Sequence, residues 1–259
     1  LNGGSGLTGT AGSRLSLNGG GAGTQTVFAV NSPNTDLEVN KSSGTAFFGA
    51  TGPTVRNVSI AAGTADAGGT AVFTVGGNWT QTGGVFNPAS IGMTVLLSSP
   101  GAGRTVSQVA GSQFGVLKSS GTGSVLATTG ITVKNTLDVL NGTFEFGAGT
   151  STVNGQARVY GGATMIVSSA VVNFGNTAGD SVLIDSSPTP GTFRLTTASP
   201  SPLVGLGGIL TSSGTFESQS VSNVIRSTTP GNFIGLNLSS GTVNISGLTA
   251  RDLNNTVGI

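Results

Sequence analysis

Apolar and polar residues alternate in short segments along most of the chain, and Gly, Asn, Ser or Pro separates one segment from the next. A period of two is typical of strands with one buried face, whereas helical i, i+3, i+4 spacing is nearly absent. Between Ile131 and Phe174 the predicted inward residues are Leu137, Val139, Phe144, Phe146, Val159 and Val167. The charged residues Asp138, Glu145 and Arg158 fall between them. The pattern therefore predicts an all-β chain with a dry inner face and a wet outer face.

A tetrapeptide, Ser-Ser-Gly-Thr, recurs four times, and an apolar stretch follows each copy. If one turn of a solenoid takes roughly 23–27 residues, successive copies are about three, four and one turns apart. A longer match, between 41–55 and 118–133, supports the same repeat. Strands this short are unstable alone, but stacked turns give every strand two neighbours and a shared core. The copies are Ser42–Thr45, Ser119–Thr122, Ser212–Thr215 and Ser239–Thr242.

We predict a single β-solenoid domain over residues 1–259, specifically a right-handed parallel β-helix. About ten or eleven turns at ~4.8 Å each would make a rod about 50 Å long. Residues 1–35 show the pattern more weakly and are a candidate for either an irregular segment or a capping or assembly segment. The alternative is an antiparallel β-sandwich, because the Asn-Gly pairs at Asn2, Asn18, Asn141 and Asn154 also suit hairpin turns. The lack of regular hairpins of equal length favours the solenoid.

Composition narrows the function classes. Charged residues make up 7% of the chain, against roughly 25% in soluble domains. The chain is nevertheless expected to fold, because 36% of its residues are hydrophobic and only 9 are Pro, whereas disordered chains are poor in hydrophobic residues. The net charge is +1 and the Lys and Arg residues are scattered, so no electrostatic footprint for nucleic acid is present. No apolar run approaches the roughly 18–20 residues of a membrane span.

The chain contains no His and no Cys. This excludes catalytic triads that use His, nucleophiles that are Cys thiols, and zinc sites built from His or Cys ligands. Carboxylate chemistry would require two acidic side chains close together. The best candidate pairs are Asp138 with Glu145 and Asp180 with Asp185, but outward solubilising residues are the favoured interpretation. We therefore predict no catalytic residues, no cofactor and no metal site.

Two kinds of residue are candidate contact or modification sites. Trp79 could stack on a glycan, although a single Trp in a strand is more often a core or end-cap residue. Seven Asn-x-Ser/Thr sequons are candidate N-glycosylation sites. These are Asn40, Asn57, Asn78, Asn141, Asn237, Asn244 and Asn254.

The segments "TVKNTLDVLNGTFEFGAGTSTVNGQARVYGGATMIV" and "FIGLNLSSGTVNISGLTARDL" resemble bacterial cell-surface parallel β-helix proteins. These are the passenger regions of autotransporters and the filamentous-haemagglutinin-type adhesins. The resemblance implies an exported right-handed parallel β-helix at the cell surface, working by adhesion or as a structural rod.

We accordingly expect an extracellular structural protein, part of a filament, sheath or adhesive stalk, that acts by self-association rather than catalysis. The alternatives are an adhesin module that binds a glycan or host surface and, less favoured, a polysaccharide lyase or hydrolase. The first residues, "LNGG", lack an initiating Met, so we expect a processed chain or an excised segment.

Overall fold

The protein is a β-solenoid. The computed structural model describes residues 9–27, 30–49, 51–69, 72–98, 101, 103–175, 179–238 and 240–253. These residues form about 11 turns, with 58% strand and no helix within the described ranges. Neighbouring strands run parallel. The predicted parallel solenoid is confirmed, and the antiparallel sandwich is wrong.

Two parallel sheets form the wall. Each turn, here called a rung, contributes one or two segments to sheet A and one to sheet B. Sheet A comprises β1 (Arg14–Gly19), β2 (Thr24–Val27), β4 (Asp36–Phe48), β6 (Val58–Ala67), β8 (Trp79–Gln81), β9 (Val85–Phe86), β11 (Arg104–Val106), β13 (Ser124–Ala127), β14 (Thr132–Val133), β16 (Thr143–Val153), β18 (Thr164–Phe174), β20 (Thr192–Leu195), β21 (Leu203–Leu206), β23 (Thr215–Ser227) and β25 (Thr242–Ala250). Sheet B comprises β3 (Asn31–Ser32), β5 (Thr54–Val55), β7 (Val72–Val75), β10 (Thr94–Leu97), β12 (Val116–Ser119), β15 (Leu137–Val139), β17 (Ala157–Val159), β19 (Asp180–Ile184), β22 (Ile209–Ser212) and β24 (Gly235–Asn237).

Rungs differ in length. Residues that pair across neighbouring rungs are as few as 19 positions apart, as for Ser124 and Thr143. They are as many as 32 apart, as for Val171 and Leu203. This range is wider than the predicted 23–27, because the turns absorb insertions while the paired segments stay short. The strands β1 and β2 already belong to sheet A, so regular structure begins within residues 1–35.

The core consists of inward side chains stacked in columns, a column being the set of residues that pair across successive rungs. Phe144, Met165, Phe193 and Phe216 form one such column, and all four are fully buried. The Phe193 and Phe216 ring centroids are 6.1 Å apart. All six inward residues predicted between Ile131 and Phe174 are fully buried, which confirms the alternation.

The recurring tetrapeptide marks mainly the corner from sheet B to sheet A. Ser119 and Ser212 end β12 and β22, and both are buried. They occupy one column, separated by Val139, Val159 and Ile184. The predicted four-turn separation of these two copies is therefore confirmed. So is the single turn between Thr215 and Thr242, which pair directly.

The first copy lies elsewhere. Ser42–Thr45 falls inside β4, where Gly44 (φ +79°) joins the two segments of that strand. Lys41 is in sheet A whereas Lys118 is in sheet B, so the longer match aligned segments that are not equivalent. The predicted three-turn separation is wrong, because the same Ser-Gly sequence suits a bend within a strand as well as a corner.

Backbone contact explains why Gly-Thr recurs at the corner. The Thr215 N–H donates to the Gly191 carbonyl (2.8 Å) and the Thr242 N–H to the Gly214 carbonyl (2.9 Å). A Cβ on Gly214 would lie 2.4 Å from the Gly191 oxygen, and one on Gly241 would lie 2.0 Å from the Gly214 oxygen. Only glycine leaves room for neighbouring rungs to approach this closely.

Candidate functional site

Several charged side chains on the outer wall form ion pairs from rung to rung. Five ion pairs occur among the described residues, and each joins opposite charges on neighbouring rungs. The pairs are Arg14–Glu38 (3.6 Å), Arg56–Asp36 (2.7 Å), Lys118–Asp138 (3.1 Å), Arg158–Asp185 (2.8 Å) and Arg194–Glu217. The pairs run along the solenoid axis, so they tie rungs together as well as neutralising the wall.

The best-defined pair is bidentate. Arg56 Nε donates to Asp36 Oδ1 (2.8 Å), Arg56 Nη2 donates to Oδ2 (2.7 Å), and Asn57 Nδ2 also donates to Oδ1 (2.8 Å). The hydrogen bond from Arg56 lowers the pKa of Asp36 below its ordinary value, although partial burial opposes this. The ionised carboxylate is thus the form that the fold stabilises.

We expect the contribution of Asp36 to stability to disappear in acid. Its pKa is about 3.8 when unfolded and lower when folded, so the stabilisation is present above about pH 3.8 and is lost as the pH falls through the folded-state value. The Tm difference between wild type and Asp36→Asn should be positive at about pH 6 and shrink below about pH 4. Thermal melts across this range measure it, and a difference independent of pH would contradict it.

A second pair is reinforced by an aromatic ring. The Arg158 guanidinium contacts Asp185 and lies 4.4 Å from the centre of the Tyr160 ring. Burial alone would lower the pKa of Arg158, but the hydrogen bond to Asp185 raises it, and the net direction is upward. Asp185 is therefore held by a permanent cation.

The structure does not assemble the candidate catalytic carboxylates. Asp138 lies in sheet B and contacts Lys118, whereas Glu145 lies in sheet A and accepts a hydrogen bond from Ser168 Oγ (2.7 Å). Asp185 is engaged by Arg158, and the side chain of Asp180 is outside the described residues. Within the described ranges, no three acidic side chains gather where they could hold a metal ion.

Trp79 lies in the core. Its side chain is fully buried, and its ring centroid is 4.9 Å from Phe86, 5.3 Å from Phe114 and 5.5 Å from Phe73. A glycan needs an exposed aromatic face on which to stack, and the indole offers none. The favoured interpretation of Trp79 as a core residue matches this position.

The sequons fall into two groups. Asn40, Asn141, Asn237 and Asn244 are exposed. Asn57 and Asn78 are half-buried members of a polar ladder, in which Asn57 Oδ1 accepts from the Asn78 N–H (2.8 Å) and Asn78 Oδ1 accepts from the Thr105 N–H (3.0 Å). A glycan on Asn57 would compete with its donation to Asp36. Asn254 lies outside the described residues.

The most exposed apolar edge of sheet A is strand β25, here called the terminal edge. It pairs with β23 on one side, and no strand of the described chain pairs with its other side. Val243 and Ile245 occupy the columns of the buried Phe216 and Ser218, yet they are 38% and 45% exposed. Their inward side chains therefore face the position that a further rung would take.

The sequence did not identify β25 as an open edge, because its "TVNIS" segment alternates like the strands that have a neighbour on both sides. Nothing in the local pattern distinguishes a strand with two neighbours from a strand with one. Only the stacking order shows it.

Within the described ranges, no helix is long and apolar enough to cross a membrane. Comparison with protein-family models, curated proteins and solved structures finds no match to this chain.

Proposed function

We propose that the protein is a structural rod of the cell surface that acts by self-association rather than by catalysis. The terminal edge carries this proposal. An open row of backbone donors and acceptors beside exposed apolar side chains is a template for another strand. A second copy of the chain would supply that strand with its own first rung.

The geometry of such stacking is head to tail. The opposite free edge is β1, which pairs with β4 alone within the described chain. Joining β25 of one copy to β1 of the next uses two different surfaces. A contact between two different surfaces makes a closed ring only when the rotation from one subunit to the next completes a circle. Subunits stacked along one axis do not complete a circle, so this contact produces a filament. With about 11 turns, each subunit would add about 50 Å at ~4.8 Å per rung.

The outer wall also supports a mechanical role. Its charged residues are few, their net charge is +1 and five ion pairs run along the axis, so little electrostatic repulsion opposes side-by-side packing of neighbouring rods. A continuous core with cross-rung ion pairs resists bending at any single rung. We infer an extracellular position, in a filament, sheath or adhesive stalk of the type carried by the bacterial surface proteins that the sequence resembles.

A charge placed on the terminal edge should block assembly. Ile245→Lys puts an ammonium group where the next rung would bury it, and an unpaired buried charge is costly. Ile91→Lys is the matched control, because Ile91 is 62% exposed and precedes β10 in the middle of the rod. We expect wild type and Ile91→Lys to form rods in multiples of about 50 Å, and Ile245→Lys to remain single.

Light scattering coupled to size exclusion and negative-stain microscopy measure this. Wild-type chain that stays monomeric at high concentration would overturn the proposal. So would filaments that form equally well with Ile245→Lys, since stacking would then use another surface.

A further inference from the structure

A groove of about 580 Å³ opens on the outer face of sheet A near its last rungs. Its lining includes hydroxyl, amide, guanidinium and carboxylate groups. The lining residues used below are Thr152, Asn173, Arg226, Thr228 and Asp252. No large apolar side chain lines it, so the groove differs from a gap in the core.

The groove follows one outward column along the solenoid axis. Thr152 pairs with Asn173, Asn173 pairs with Gly205, and Gly205 pairs with Arg226. Each step is one rung, or about 4.8 Å, so the polar groups recur along a line about 14 Å long. An extended ligand lying parallel to the axis could contact each group in turn.

Gly205 is the closely packed member of this column. A Cβ at Gly205 would lie 2.4 Å from Asn173 Oδ1 and 2.8 Å from the Thr228 methyl carbon. The Asn173 amide and the Thr228 side chain therefore lie over Gly205, and a residue with a Cβ would push them aside. Both of these side chains line the groove.

Two positive charges meet at the end of the column. Ile225 pairs with Ala250 on the next rung, and the Arg251 N–H donates to the Ile225 carbonyl (2.9 Å). This pairing places Arg226 beside Arg251 on neighbouring rungs. Both arginines are exposed, and neither takes part in an ion pair among the described residues. Like charges on adjacent strands repel each other, so this position favours a bound anion.

Asp252 reduces this charge without removing it. Its Oδ2 accepts a hydrogen bond from the Ser227 N–H (3.3 Å), which directs the carboxylate toward the backbone. Arg226 and Asp252 line the groove, and Arg251 is beside Arg226 on the next rung. Two guanidinium groups and one carboxylate therefore leave a net positive charge near the end of the groove. Guanidinium is the group best suited to bind a carboxylate or a sulfate through two hydrogen bonds.

We propose that the groove binds an acidic polysaccharide, with Arg226 and Arg251 holding the carboxylate or sulfate of one sugar unit. The Asn173 amide and the Thr152 hydroxyl then hydrogen-bond the hydroxyl groups of the units that follow along the axis. This site goes beyond the structural role proposed above and does not depend on it. A surface rod with such a groove would attach to a matrix of acidic sugars.

The test is calorimetric titration with three probes, which are polygalacturonate, dextran sulfate and neutral dextran. We expect binding of a charged polymer and none of dextran, and the two charged probes distinguish a carboxylate from a sulfate ligand. Arg226→Gln should weaken binding about tenfold, the loss expected for a charge-assisted hydrogen bond. The matched control is Arg14→Gln, the same charge change at a 60% exposed side chain on the first strand.

Each other outcome contradicts the proposal. Equal losses for Arg226→Gln and Arg14→Gln would mean diffuse charge attraction, and binding of dextran or of none of the probes would exclude an acidic ligand. If Arg226→Gln weakens binding but Asn173→Ala does not, the site takes an anion alone and the saccharide is wrong. Thermal melts of the variants confirm that each remains folded.

Discussion

Replacing Trp79 by Ala should destabilise the protein by about 3–5 kcal/mol, the usual cost of removing a large buried aromatic side chain. The indole is fully buried and makes edge-to-face contacts with Phe73, Phe86 and Phe114. Its loss would leave a cavity that spans neighbouring rungs. The hypothesis of a glycan contact makes the opposite prediction, since an exposed Trp could be removed with little change in stability.

Chemical denaturation and limited proteolysis measure this prediction together. In a solenoid each rung contacts mainly its neighbours, so a weakened rung can open locally before the whole rod unfolds. We expect new cleavage sites near β8 in Trp79→Ala. Trp79→Phe retains a ring in the aromatic cluster and should lose less than half as much. A Tm of Trp79→Ala equal to that of wild type would contradict the core position.

Local alternation was sufficient to predict which way side chains point. Phe144, Phe146 and Val159 are buried and Glu145 and Arg158 are outward, as the period of two requires. This succeeds because the direction of a side chain in a strand depends only on its neighbours in sequence. The parallel solenoid itself followed from many short strands with recurring turns, whereas its right-handedness stays a prediction.

The position of a segment within the rung could not be predicted in the same way. Asp138 and Glu145 both point outward, but one lies in sheet B and the other in sheet A. The turns between rungs vary in length, and the resulting register depends on backbone contacts between residues about 20 positions apart. The Lys41 and Lys118 segments show the consequence, because similar letters occupy different sheets.

The groove and the terminal edge could not be predicted from the sequence for the same reason. Arg226 and Arg251 are 25 residues apart in the chain and become neighbours only when their rungs stack. Asn173 is farther still from both. A column is a long-range property, so its chemistry can be read only after the register of each rung is known.

The corner glycines provide the sharpest test of that register. We expect Gly214→Ala to cost about 1–3 kcal/mol or more, the range for overpacking a close contact. Its Cβ would lie 2.4 Å from the Gly191 oxygen and 2.5 Å from the Asp185 oxygen. Neither oxygen can retreat freely, because the first accepts from the Thr215 N–H and the second from the Gly191 N–H, both at 2.8 Å.

The matched control is Gly21→Ala, since nothing lies within 4 Å of a Cβ built at Gly21. Its effect should stay within about 0.5 kcal/mol, as for most surface substitutions. Denaturation of the two variants side by side compares one added methyl group at a stacked corner with one in open space. Equal stability of both would mean that the rungs do not approach through Gly214, and the account of the recurring Gly-Thr corner would then be wrong.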